Sequence, residues 1–205
     1  MARGVTRSDD GVPRCPWGAA PAEYRRYHDH EWGRPITDEV AIFEKLCLEG
    51  FQSGLSWLTI LRKRDAFRRA FAGFDIPTVA RFGRRDVDRL LGDAGIVRHR
   101  GKIEAAIGNA RAVRDLQADG GSLAALVWRH EPPRHRPPRT FDDIVASSPE
   151  SAALSKELRR RGLRFVGPTT VYASMQSLGL VDDHLVGCHA RGAVEAARKS
   201  LVRPR

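Results

Sequence analysis

The chain has 205 residues, 41% of them hydrophobic, which is enough to build a core in one or two domains. The 35 Lys and Arg residues outnumber the 25 Asp and Glu residues, so the formal net charge is +10. This excess indicates a polyanionic partner such as nucleic acid, although a proteome that is generally rich in arginine would give the same charge. The sequence lacks a membrane-length apolar run and a signal-peptide core, and its three cysteines argue against a disulfide framework. We therefore expect a cytoplasmic protein with no membrane partner.

Helical patterns dominate the chain, because apolar residues recur with the 3.6-residue period and strand-like alternation is almost absent. The fold class predicted is therefore all-α. Apolar faces with cap or turn residues at their ends predict helices, in chain order, at residues 21–31, 38–50, 56–71 with a possible break, 86–92, 100–119, 122–129, 151–161 and 169–178.

Domain boundaries follow from the segments between and beyond these helices. Residues 1–13 are predicted to be a flexible tail, residues 14–190 a single unit of two helical blocks, and residues 191–205 a loosely ordered basic tail. The four prolines of "HEPPRHRPPRT", residues 130–140, predict an extended basic loop between the two blocks. This loop is interpreted as a solvated linker, with phosphate contact as the alternative.

Cysteine and histidine residues near both ends of the chain form a candidate metal site. His184 and Cys188 are four residues apart and would share one face of a helix, while Cys15 and His28 lie near the other end. Two thiolates and two imidazoles suit tetrahedral zinc. The spacing is not that of a zinc finger, so coincidence remains an alternative, and His30 and His189 are adjacent competitors for the ligand roles. Cys47 falls among apolar residues and is interpreted as a core residue.

Aromatic residues are concentrated in the first 57 positions. Such rings suit the stacking of a nucleobase, although core packing is the default interpretation for any one of them. The members of this set are Trp17, Tyr24, Tyr27, Trp32 and Trp57. Glu49 stands beside them in the apolar stretch "CLEGFQSGLSW", either as a functional buried acid or as a helix-end carboxylate paired with an arginine.

Two glycine-containing helix junctions are candidate phosphate contacts. The first, "DAGIVRHRGK", carries Arg98, Arg100 and Lys102. The second, "RRRGLRFVGPTT", carries Arg164 and opens a helix after Gly167, whose free backbone amides could hold a phosphate. Each junction could instead be an ordinary helix cap.

These segments together resemble the 3-methyladenine DNA glycosylase I family. The similarity covers residues 14–189 and rests on "RCPW", "YHDHEWG", "LCLEGFQSGLSWLTILRKR", "DAGIVRHRGKIEAAIGNA" and "LSKELRRRGLRFVGPTTVYASMQSLGLVDDHLVGC". The resemblance implies a helix-hairpin-helix glycosylase fold in which a structural zinc, held by Cys15, His28, His184 and Cys188, joins the N- and C-terminal segments. It also implies a monomer that acts on alkylated double-stranded DNA.

The resemblance further implies a base pocket formed by Glu49, Tyr27, Trp57 and Trp17, with Trp32 and Tyr24 as supports. Alkylation at N3 makes adenine cationic and weakens its glycosidic bond, so the enzyme needs only to flip the nucleotide, stack the ring and offer a carboxylate to the exocyclic amine. Hydrolysis of the bond would leave an abasic site.

Two features depart from the expected patterns. The second hairpin is "RFVGP" rather than the two-glycine hairpin of the wider superfamily. Asp182 occupies what looks like the superfamily's catalytic aspartate position, where 3-methyladenine enzymes often have asparagine. Asp182 could instead orient His184.

Two other classes of function remain as alternatives: a zinc-stabilised DNA-binding protein without glycosylase activity, and a zinc hydrolase. Four protein ligands count against the hydrolase, because a catalytic zinc needs an open position.

Overall fold

A computed structural model describes residues 4–204 and confirms the all-α prediction. The helices are α1 (Ala22–His30), α2 (Glu39–Gln52), α3 (Trp57–Ala70), α4 (Ile76–Ala80), α5 (Arg84–Gly92), α6 (Arg100–Ala118), α7 (Leu123–Trp128), α8 (Pro149–Arg160), α9 (Pro168–Ser177) and α10 (Arg191–Ser200). The strands β1 (Thr6–Arg7) and β2 (Pro13–Arg14) form a short antiparallel hairpin. Among the helices described, none has both the length and the apolar character that crossing a membrane requires.

Side-chain caps explain why several helices begin where the sequence predicts. At each of four helix starts, a side-chain oxygen accepts a hydrogen bond from the backbone N–H three residues ahead, which satisfies one of the free amides of the first turn. These cap residues are Asp38 of α2, Ser56 of α3, Ser122 of α7 and Ser148 of α8.

The hydrophobic core surrounds α2, which is buried almost continuously from Ile42 to Phe51. Phe51 packs against Phe67 of α3 with 4.6 Å between ring centroids. The chain then turns so that Phe71 and Phe74 stack nearly parallel at 5.4 Å. Because α2 crosses the middle of the molecule, any polar residue on its C-terminal half is held by packing on several sides.

Helices α8 and α9 and the turn between them form a helix-hairpin-helix unit. Asn109 of α6 binds this hairpin through both backbone groups of Arg164. Its Nδ2 donates to the Arg164 carbonyl oxygen at 3.0 Å, and its Oδ1 accepts from the Arg164 backbone N–H at 2.8 Å. A Cβ built on Gly50 would lie 3.3 Å from the Cβ of Phe165, so glycine at this position lets the hairpin approach α2 closely.

The chain ends are more ordered than the sequence predicts. The flexible N-terminal tail predicted for residues 1–13 is wrong from Thr6 onward, where the β-hairpin begins; residues 1–3 lie outside the described residues, as does residue 205. The prediction of a loosely ordered C-terminal tail at residues 191–205 is also wrong, because α10 occupies most of it. Helix α10 buries Val194, and Arg198 and Arg203 both pair with Glu131 at 2.9 Å. The partner of these cations is about seventy residues away in sequence, so local composition gave no sign of it.

Candidate active site and metal centre

A cavity of about 320 Å³ lies between α1, α2, α3 and α9. The structure brings to its wall all five aromatic residues singled out in the sequence, together with the buried acid: Trp17, Tyr24, Tyr27, Trp32, Trp57 and Glu49. We call this cavity the aromatic pocket. Tyr24 and Tyr27 come from α1, Glu49 from α2 and Trp57 from α3, while Trp17 and Trp32 lie just before and just after α1. The packing of α3 against both α1 and α2 brings them together.

The rings of the aromatic pocket support one another. Trp17 lies edge to face against Tyr24 at 5.6 Å and against Trp32 at 5.0 Å between centroids. Tyr27 and Trp57 form a tilted pair at 5.4 Å. Tyr24 is fixed further because its Oη accepts from the backbone N–H of Leu58 at 2.9 Å. The pocket therefore presents preformed flat faces that suit a planar heteroaromatic ligand.

Glu49 is the only carboxylate on the wall of the aromatic pocket among the described residues. It is 5% exposed, and burial raises the pKa of its carboxyl to about 7, against the opposing effects of Lys45 and Ser177. No arginine lies within ion-pair distance of it in the described part of the chain, so the interpretation as a paired helix-end carboxylate is wrong. A buried acid with such a pKa changes charge readily when a cation approaches.

A second acid supports the opposite wall, and the sequence did not identify it. Asp183 accepts hydrogen bonds from Tyr172 Oη at 2.9 Å and from Gln176 Nε2 at 2.7 Å, and both donors line the aromatic pocket. Burial opposes ionisation of Asp183, but hydrogen bonds from His135, Gln176 and Tyr172 hold its pKa below the usual value. The available signal was the pair of polar residues four apart on α9.

Asp182 faces away from the aromatic pocket. It lines a separate, polar cavity of about 400 Å³ together with Arg191 and Arg198. Its Oδ1 accepts from the backbone N–H of His184 at 3.1 Å, and its Oδ2 lies 3.7 Å from Arg191. This geometry favours a role in orienting His184 over the role of a catalytic aspartate, which would need access to the base.

Cys15, His28, His184 and Cys188 meet in one buried cluster, which we call the metal cluster. Their ligand atoms all lie within 4.8 Å of one another. Cys188 Sγ is 3.5 Å from His28 Nε2 and 3.6 Å from His184 Nδ1, and Cys15 Sγ is 3.8 Å from the same Nδ1. Hydrogen bonds from Cys15, His184 and His28 hold the pKa of the Cys188 thiol far below its ordinary value. The cluster could hold a metal ion.

The surroundings of both imidazoles also suit metal binding. His28 directs Nδ1 to the Asp29 carboxylate at 2.8 Å, and His184 directs Nε2 to the Trp32 carbonyl at 3.1 Å, so in each ring one nitrogen is left for the cluster. His189, one of the two competing ligands, binds Asp29 instead, and the other, His30, is exposed. The prediction that His184 and Cys188 share a helix is wrong, because they lie on either side of a turn before α10.

The candidate DNA contacts separate into two kinds. Arg98, Arg100 and Arg164 are exposed, and the His99 and Phe165 rings, 6.4 Å apart, bring the start of α6 close to the hairpin. Gly167 is the N-cap of α9, as predicted. Lys102 does not belong with the exposed cations: it is 8% exposed, and its ammonium donates to the carbonyls of Phe51 and Ser53. It fixes the C-terminal end of α2, which explains its burial.

A helix-hairpin-helix unit with exposed arginines, beside a pocket that suits one flat base, defines a class of protein that acts on a base extruded from nucleic acid. A family model described as methyladenine glycosylase matches residues 17–191. DNA-3-methyladenine glycosylase 1 from Escherichia coli is 48% identical over 179 residues, which cover 86% of this chain and 96% of the relative. DNA-3-methyladenine glycosylase from Haemophilus influenzae is 43% identical over 178 residues, covering 85% and 96%.

Solved structures agree with these sequence relatives. A crystal structure of 3-methyladenine DNA glycosylase I superposes with a TM-score of 0.84 at 46% identity, covering 87% of this chain and 99% of the other. A structure of the Staphylococcus aureus enzyme, described as the structural basis of 3-methyladenine recognition, has a TM-score of 0.82 at 35% identity and covers 87% and 96%. The chain belongs to the methyladenine glycosylase family.

Proposed function

We propose that this protein is a DNA repair glycosylase that flips 3-methyladenine out of alkylated double-stranded DNA and hydrolyses its N-glycosidic bond. The observation that carries the proposal is the burial of Glu49 in the wall of the aromatic pocket. A buried carboxylate among aromatic faces favours a flat cation over a neutral base, because only the cation offsets the cost of desolvating the acid.

The five aromatic residues and Glu49 each have a role in this reaction. Trp17, Tyr27 and Trp57 stack against the base, and Tyr24 and Trp32 support those rings. Glu49 accepts a hydrogen bond from the exocyclic amine. The bond between the sugar C1′ and the base N9 breaks with its electron pair going to the cationic base, which leaves as neutral 3-methyladenine. Water oxygen bonds to C1′ and releases a proton, so an abasic site remains.

The metal cluster fits a structural zinc. Zinc in tetrahedral coordination, at its usual bond lengths, separates sulfur and nitrogen ligands by about 3.5 Å, close to the three sulfur–nitrogen distances above. The four protein ligands Cys15, His28, His184 and Cys188 would complete the coordination, so the ion would stabilise the fold and take no part in hydrolysis. Asp182 orients His184 in this proposal, because its carboxylate accepts a hydrogen bond from the His184 backbone N–H.

DNA binding rests on Arg98, Arg100, Arg164 and the backbone amides that follow Gly167 at the start of α9. The amides of a helix N-terminus and exposed guanidinium groups both suit phosphate oxygens. The protein acts as a cytoplasmic monomer whose single glycosylase unit spans residues 14–190, with α10 packed against it. Neither a membrane nor an obligate protein partner enters this proposal.

One assay tests the function directly. The protein is incubated with methylated DNA, and the bases released are identified by chromatography. We expect free 3-methyladenine and an equal number of abasic sites. Binding to DNA without release of any base would contradict the proposal and favour the alternative, a zinc-stabilised DNA-binding protein without glycosylase activity.

A further inference from the structure

A lysine lies buried behind the aromatic pocket. Lys45 on α2 is 7% exposed, and its Nζ donates to Tyr27 Oη at 3.3 Å. The same ammonium is 4.7 Å from the centroid of the Tyr27 ring and 5.6 Å from that of Trp57. A resident cation therefore touches two of the rings on which a cationic base would stack.

The other charged groups around Lys45 already have partners. Glu31 of the α1 end pairs with Arg64 of α3 at 3.0 Å, and Glu44 pairs with Arg68 at 2.9 Å. Glu49 lies one helical turn after Lys45 on α2, and among the described residues it makes no direct ion pair, either with an arginine or with Lys45. Lys45 and Glu49 are therefore left as the complementary buried charges of this region.

We propose that Lys45 is a positioning residue of the aromatic pocket, whose ammonium favours the ionised form of Glu49 in the free enzyme. The effect on excision rests on the proposed role of Glu49, because Lys45 supports the charge that recognises the lesion.

The pKa values of Lys45 and Glu49 define the pH range in which Lys45 affects excision. Burial raises the pKa of Glu49 to about 7 although Lys45 opposes the shift, and burial lowers the pKa of Lys45 to about 8 although Glu49 opposes it. Tyr27 stays neutral here, because burial raises its pKa well above 10. Removing the ammonium should raise the pKa of Glu49 further. Excision by Lys45→Met should therefore fall off at a higher pH on the acid side, and the two profiles should converge above about pH 8, where Lys45 is uncharged in wild type.

Single-turnover excision from DNA containing 3-methyladenine, measured from about pH 5.5 to about pH 9, tests this inference. The acid limb of Lys45→Met should move up by roughly one pH unit, and above that limb its profile should converge with that of wild type. Lys45→Arg keeps the charge and should restore the wild-type acid limb. Lys199→Met removes an exposed lysine at the end of α10, changes the net charge equally, and should leave the profile unchanged.

A second readout separates the two proposals. Titration of carbon-labelled glutamate side chains by NMR gives the pKa of Glu49 without reference to activity. An unchanged Glu49 pKa in Lys45→Met overturns the inference. A raised pKa together with an acid limb that moves up to match it supports the inference. A raised pKa with an unmoved excision profile supports the charge pairing, but it overturns the role of Glu49 in recognition.

Discussion

Glu49 meets two conflicting demands at the scale of a single residue. It must be buried to distinguish a cationic base from a neutral one, yet burial raises its pKa to about 7 and so favours the protonated form that cannot make this distinction. The pocket accommodates both demands with aromatic walls on one side and Lys45 on the other. Because the lesion is already activated by its own charge, recognition rather than proton transfer is the demanding part of the reaction.

Replacing Glu49 by Gln tests recognition by charge. The amide keeps the shape of the side chain but loses a charge-assisted hydrogen bond, so excision of 3-methyladenine should slow roughly 10- to 100-fold in single turnover. DNA affinity should remain, because Glu49 is buried away from the exposed arginines. Glu23→Gln is the matched control, since Glu23 lies on α1, outside the pocket wall, and pairs with Arg62. A mild effect of Glu49→Gln would contradict the assignment.

The two neighbouring aspartates should respond differently to the same change. Asp182→Asn keeps an oxygen that accepts from the His184 amide, so the excision rate should stay within about twofold of wild type. Asp183→Asn weakens the bonds from Tyr172 and Gln176, and should cost on the order of 1–3 kcal/mol of stability and loosen the pocket wall. Thermal melting and single-turnover rates measure both. Loss of activity in Asp182→Asn at full zinc content would make Asp182 the catalytic aspartate instead.

At the scale of elements, the hairpin between α8 and α9 depends on a residue outside it. Asn109→Ala removes both hydrogen bonds to the Arg164 backbone, worth about 1–2 kcal/mol together, so DNA affinity should fall roughly 5- to 30-fold. Binding of free 3-methyladenine should not change, because Asn109 does not line the aromatic pocket. Asp115→Ala is the control, because exposed Asp115 lies at the other end of the same helix and pairs with Arg114. Equal losses for DNA and free base would indicate general unfolding instead.

The elements that the sequence predicted well carry their signals locally. Helices α2, α3, α7 and α8 begin at Asp, Ser or Ser-Pro caps directly before an apolar face, so a short window contains the information. Helix α10 does not, since Val194 is its only buried residue, and the ion pairs at its C-terminal end run to Glu131 from Arg198 and from Arg203 beyond the helix. The short α4 was likewise missed, because five residues cannot display a helical period.

Buried cations explain most of what was missed in the candidate site. Lys102 lies at a helix start beside two arginines and has the composition of a phosphate contact, but tertiary packing brings its ammonium to the end of α2. Lys45 lies in an apolar helix with no nearby motif, and only the fold brings it to Tyr27 and Trp57. The metal ligands were predictable as residues but not as geometry, since the sequence placed His184 and Cys188 on a helix that does not form.

At the scale of the whole molecule, the metal cluster connects the two ends of the chain. Cys15 follows β2 and His28 lies on α1, while His184 and Cys188 precede α10, so one ion would close a loop of more than 150 residues. Closing such a loop removes conformational entropy from the unfolded chain, on the order of 5 kcal/mol in the loop-closure model. The same contacts hold Trp17 and Trp32 against His28, so the wall of the aromatic pocket depends on the cluster.

Replacing Cys188 by Ala should therefore remove the metal and lower the melting temperature by roughly 10 °C or more. Elemental analysis should give about one zinc per chain in wild type and almost none in the variant. Cys47→Ala is the matched control: Cys47 is a buried core thiol outside the cluster, as predicted, so its loss should lower stability slightly and leave the zinc content intact. At a low temperature, where Cys188→Ala remains folded, the variant should keep most of its excision rate, because no step of hydrolysis uses the ion. Unchanged melting together with full zinc content in Cys188→Ala would exclude Cys188 as a ligand and with it the proposed link between the chain ends.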